Sequence, residues 1–120
     1  MGLDLFFTKR KAKEIGYFRK VNFLVKYFKN LGFDVEHQIP LRIYKENIED
    51  LLTRCDQVLK DNSKASNLLP TMSGFFFGNT EYNEDYFNDV KEVKNYIKNI
   101  LLPEFDNLGN EEEIYFETWY

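Results

Sequence analysis

Apolar residues recur at helical spacing in three stretches of the chain. Val21, Leu24, Val25, Phe28 and Leu31 stand three and four positions apart, which predicts a helix from Tyr17 or Phe18 through Leu31. Gly32 follows where a left-handed residue would end it. Phe18, Phe23 and Tyr27 widen the apolar stripe, so this helix is expected to be buried on more than one side. Ile48, Leu51, Leu52, Cys55, Val58 and Leu59 form the cleanest stripe, on a second helix of about 15 residues that Asn47 can cap. Phe87, Val90, Val93, Ile97, Ile100 and Leu101 mark a third, from a cap at Asn83 to near Leu102, with Pro103 as its stop.

Shorter runs read as strands: Leu3–Phe7, Leu41–Tyr44 after a loop containing Pro40, and Ile114–Tyr120. Between them lie a basic connection from Thr8 to Gly16 and a polar loop, Asp61–Asn67, closed by Leu68-Leu69-Pro70. There is no repeat and no low-complexity segment. The predicted fold is α+β, a single domain over residues 1–120 with three helices packed on a small sheet that includes both termini.

With 43% hydrophobic and 18% aromatic residues in 120, the chain carries enough apolar surface for one packed core and too much for a disordered tail. No apolar run reaches the roughly 20 residues that span a bilayer, and the first residues lack the basic and apolar regions of a secretory signal. Gly2 is not followed by the Ser or Thr of a myristoylation motif. One Cys cannot form an intrachain disulfide, which fits a protein of the reducing cytosol. One His and one Cys remove most metal and triad chemistry, so neither a metal nor a cofactor is expected.

The net charge of −4 hides a polarity. Residues 1–45 hold ten basic against four acidic side chains; residues 46–120 hold six against sixteen. Such a division either steers an anionic partner or reflects complementarity between two halves of one fold. A net acidic body disfavours long nucleic acid, and a compact anion is easier to accommodate.

Glu49 and Asp50 open the second helix and Glu84 and Asp85 the third, where they complement the positive helix end. The first helix is expected to open with Arg19 and Lys20 instead, just after Arg10, Lys11 and Lys13. Amides at a helix N-terminus together with an Arg fork can hold a phosphate or carboxylate. The structural alternative pairs Arg19 and Lys20 with acids such as Glu112 or Glu117. A second feature is Gly74-Phe75-Phe76-Phe77-Gly78, with Thr71 and Ser73 upstream. A Phe beside glycine amides can stack on a base; equally, the three Phe can form a buried strand. Cys55 reads as a core residue, His37 as a loop residue, and Glu111-Glu112-Glu113 as a solvated turn. Tyr115, Trp119 and Tyr120 either present a binding face or cover the sheet.

Met1-Gly2-Leu3-Asp4, Glu14–Asn22 with its Tyr17-Phe18-Arg19-Lys20, Pro70–Gly78 and the closing Tyr115–Tyr120 together resemble a family of small tailed-phage and prophage proteins of uncharacterised activity. Phe18 stands where members of that family often have Trp. The resemblance implies a phage accessory protein, a class that commonly counters host defence by holding its nucleotide signal or by binding its effector. The expected function is non-enzymatic capture of a small phosphate-bearing ligand by Tyr17, Arg19, Lys20, Ser73, Gly74, Phe75, Gly78 and Trp119. The alternative is a protein-interaction module that inhibits a host enzyme through its acidic and aromatic surface. Expected partners are a small anion or a host protein, with no membrane, and a homo-oligomer is compatible with either.

Overall fold

The computed structural model describes residues 2–9, 13–74 and 77–120, and within them the chain opens with a hairpin. β1 (Asp4–Lys9) and β2 (Lys13–Arg19) run antiparallel, with Leu5 opposite Phe18 and Phe6 opposite Tyr17. Their register shifts between Phe7 and Thr8, a bulge that bends the edge strand. β3 (Leu41–Ile43) pairs with β4 (Ile114–Trp119), and β4 pairs with the free side of β1. The result is a four-stranded antiparallel sheet in the order β2-β1-β4-β3.

The hairpin overturns the predicted start of the first helix. Tyr17, Phe18 and Arg19 are strand residues, and α1 spans Asn22–Asn30, with Val21 at its N-cap. The same hairpin shortens the predicted basic connection, because Thr8, Lys9, Lys13, Glu14 and Gly16 are paired; residues 10–12 lie outside the described residues. The physical reason is side-chain pairing: Phe18 turns to the core, while Tyr17 packs on Phe6 with ring centroids 5.3 Å apart. A helix through this segment would forfeit those cross-strand contacts. At the other end of α1 the expectation holds: Gly32 takes φ 98°, and Phe33 N–H donates to Phe28 O at 3.1 Å, closing a Schellman turn.

α2 (Lys45–Lys60) begins two residues before Asn47, whose side chain caps from within by accepting Tyr44 N–H at 2.9 Å. Ile48, Leu51, Cys55 and Val58 are its buried stripe. The predicted polar loop is partly helical: Asp61 caps a 3₁₀ turn, Asn62–Lys64, that runs into α3 (Ala65–Leu68). α4 (Glu84–Tyr96) starts at its predicted cap, Asn83 accepting Tyr86 N–H at 3.1 Å. Pro103 does not stop it. A π-turn, Ile97–Leu101, links α4 to α5 (Leu102–Asp106), and Pro103 falls in the first turn of α5, where a missing N–H costs little. The wide turn also carries Ile100 out to solvent, off the stripe expected for it, while Ile97 and Leu101 stay buried. Counting the α4–α5 rod once, there are four helices among the described residues rather than three.

These helices pack on one face of the sheet. Phe28 of α1 meets Phe116 of β4 at 4.4 Å between ring centroids, and Tyr96 of α4 meets Phe7 of β1 at 5.4 Å. The charge polarity is partly internal: Lys9–Glu104 (3.2 Å), Arg42–Glu113 (3.3 Å) and Lys45–Asp106 (2.8 Å) each join the basic first part of the chain to the acidic remainder. Among the described residues no helix is long and apolar enough to cross a membrane.

Candidate functional site

Asn22, the first residue of α1, is a polar side chain only 3% exposed, and its three side-chain hydrogen bonds all go to one loop. Its amide donates to Phe77 O and to Asn79 O, each at 3.0 Å, and its carbonyl accepts Met72 N–H at 3.0 Å. The loop also ties itself together. Thr71 Oγ1 donates to Thr80 O at 2.8 Å, and Thr71 N–H donates to Tyr82 Oη at 3.1 Å. Phe77 N–H returns to Gly74 O at 3.2 Å, and the Phe77 ring lies so close over Gly74 that a Cβ there would sit 2.7 Å from it. Phe77 is buried outside any described strand, and the other two residues of the expected buried strand, Phe75 and Phe76, lie outside the described residues. Gly78 follows at φ 87°, in the left-handed region glycine occupies at low cost.

This clamp forms a cleft of about 160 Å³ between the start of α1, the loop and the start of α4. Arg19, Lys20, Asn22, Thr71, Gly78 and Asn79 line it together with Glu81, Asn83, Asp85, Tyr86 and Asp89. Lys20 bridges β2 and α1 in a left-handed conformation, φ 58°, fixed by its N–H donating to Leu3 O at 2.7 Å. A lysine held there costs about 1 kcal/mol relative to a relaxed backbone. The stem of Lys20 lies against Gly78. α1 has no acid in its first turn, as expected, but Arg19 and Lys20 precede that turn instead of occupying it. Glu81, Asp85 and Asp89 bring carboxylates to the same cleft. Burial, with smaller contributions from Glu92 and Asp85, raises Asp89 from the usual Asp range to about 6. Among the described residues no three acidic, His or Cys side chains group as metal ligands would.

The other predicted residues lie elsewhere. Ser73 and Gly74 are exposed and do not line the cleft, and Phe75 falls outside the described residues. Tyr17 and Trp119 sit on the sheet face that the helices leave open, 48% and 45% exposed. Register orders that face in three rows: Arg19, Asp4 and Trp119; then Tyr17, Phe6 and Glu117; then Glu14, Thr8, Tyr115 and Arg42. Tyr17 Oη donates to Asp4 at 2.7 Å, which raises the phenol's pKa, and Trp119 donates its indole N–H to Glu117. Rings run on around the sheet end, Trp119 to His37 at 6.3 Å, His37 to Tyr120 at 5.0 Å and Tyr120 to Phe77 at 5.1 Å. His37 Nδ1 accepts Tyr120 N–H at 2.9 Å, so this imidazole helps hold the strand end. Cys55 is a core residue whose thiol burial pushes up to about 12.

Asn22 and the acids of the cleft are not among the residues the sequence pattern singles out for the site. Asp85 and Asp89 are four apart on a predicted helix, so their shared face is readable; that it lines the same cleft as Arg19 and Lys20 depends on long-range packing. Comparison with protein-family models, curated proteins and solved structures finds no match to this chain. Function must therefore come from the chemistry of the cleft and the sheet.

Proposed function

We propose that this chain is a non-enzymatic binding protein whose cleft takes the phosphate of a small, nucleotide-like ligand. One observation carries the reading: two segments some fifty residues apart, Tyr17–Asn22 and Pro70–Gly78, are drawn together by the buried Asn22 amide, and Arg19, Lys20, Thr71 and Gly78 meet at one cleft. These are also segments on which the resemblance to small phage proteins rests, in keeping with a role in holding a host nucleotide signal. A cleft of about 160 Å³ is smaller than pockets that enclose whole drug-sized ligands, so the phosphate enters and the rest lies at the mouth. There Asn83, Asp85 and Asp89 offer acceptors to the N–H groups of a base.

The test is calorimetric and thermal titration of the whole chain with inorganic phosphate, nucleoside monophosphates and cyclic dinucleotides. Binding at a hundred times the dissociation constant stabilises by about 2.7 kcal/mol. Lys20→Gly is expected to weaken binding while leaving the unliganded melting temperature unchanged or slightly raised, since relief of the left-handed strain offsets the added chain entropy. No shift with any of these ligands at saturating concentration would end the proposal.

A second reading, a protein-interaction module acting on a host protein, is favoured by a separate observation. Tyr17, Phe6, Tyr115 and Trp119 share a sheet face without a helix over it, the kind of aromatic surface that anchors protein contacts.

A further inference from the structure

We infer that the cleft selects a guanine nucleotide, Asp89 accepting the two adjacent N–H groups of the base while Arg19 and Lys20 meet its phosphate. This rests on the phosphate reading of the cleft and names the base. The first observation is that Asp89 lacks a partner. Three aspartates are partly buried; of these, Asp4 accepts the Tyr17 hydroxyl and Asp56 holds Lys94 at 2.7 Å. Among the described residues Asp89 accepts no hydrogen bond and joins no ion pair, although it lines the same cleft as two cations. The charges that act on it are Glu92 and Asp85, both of its own sign, and neither Arg19 nor Lys20 offsets them. Lys20 in turn forms no ion pair among the described residues. A cleft that holds a cation and a carboxylate without neutralising either is complementary to a ligand with both an anion and N–H donors.

The chemistry of the acceptor then chooses the base. An ionised carboxylate has two oxygens and no donor, so it pairs best with two parallel N–H groups. Guanine presents that pair on one edge, N1–H beside the N2 amine. Adenine and cytosine set a ring acceptor beside their amine, and uracil flanks its N–H with two carbonyls. Each of these turns a lone pair toward one carboxylate oxygen. A half-buried acceptor left unmatched in this way is destabilising, and the guanine edge removes the mismatch. Asn83 spends its side-chain carbonyl on Tyr86 N–H and keeps its amide N–H groups for the same cleft, donors suited to the guanine O6 next to N1–H.

Isothermal titration of the whole chain with GMP, IMP, AMP, UMP and inorganic phosphate tests this. IMP differs from GMP only in lacking the N2 amine, so GMP is expected to bind about tenfold tighter. Asp89→Asn exchanges one acceptor for a donor, the arrangement that pairs with the amine and ring nitrogen of adenine. The GMP preference should vanish in that variant, and AMP should gain on GMP. Inorganic phosphate should bind the variant at least as tightly as the parent, since a negative charge leaves the cleft, and this shows that the variant is folded. Equal affinity for GMP and IMP, a parent that prefers AMP or UMP, or a GMP preference that survives Asp89→Asn overturns the inference and leaves phosphate capture standing. No binding of any of these probes, phosphate included, ends both.

Discussion

Asn22 shows how a single amide can determine where a loop lies. A buried side chain with three hydrogen bonds, at 3.0 Å each, leaves an N–H and two carbonyls without partners when it is removed. Asn22→Ala is therefore expected to lower stability by about 2–4 kcal/mol in urea denaturation. Amides of the Met72–Asn79 loop should exchange faster in the same variant. A variant as stable as the parent would mean that the loop is held by something else. In the sequence Asn22 is one polar residue within a helical stripe, and nothing local reveals that its partners lie fifty or more residues away.

Among elements, those whose pattern has a single solution were legible. The stripe of α2, the Asn83 cap and the glycine after α1 all stand where the sequence puts them, because each is decided within a few residues. The Gly32 turn is a clean case: no atom lies within 4 Å of a Cβ built there, so only its φ of 98° resists substitution. Gly32→Ala should cost about 1 kcal/mol in thermal unfolding, and Gly32→Asn distinctly less. Equal losses would show that the cost is not conformational. β2 was illegible because Ile15, Tyr17 and Phe18 suit a helix stripe and an edge strand alike; pairing with β1, a contact between separate segments, decides it. The π-turn was hidden for a similar reason. It conserves burial at Ile97 and Leu101 while breaking the 3.6-residue period that identified Ile100.

At the scale of the whole molecule, the division of charge between the two parts of the chain has two outcomes. Some cations pair with acids from the other part, as Lys9 does with Glu104 and Lys45 with Asp106. Others, Arg19 and Lys20, line one cleft together with Asp85 and Asp89, and Asp89 is sensitive to pH. Its folded-state value of about 6 exceeds the ordinary 3.8, so the folded protein holds this proton more tightly than the unfolded chain. The resulting stability is complete below 3.8 and is lost as pH rises through 6. Asp89→Asn should melt above the parent at neutral pH, with the gap closing as the pH falls toward about 4. Calorimetry across that range checks it, and a constant gap would assign the effect to packing instead of ionisation. The candidate cleft was half legible: Arg19, Lys20 and Gly78 were expected to act together, whereas their acidic counterpart follows only from how α4 lies against α1. The open face has one more consequence. Trp119 is the only indole of the chain and half of it meets solvent, so intrinsic fluorescence is a built-in optical reporter of this face. Covering that face would move its emission to the blue, whereas phosphate entering the cleft touches no indole, and a label-free spectrum can tell the two events apart.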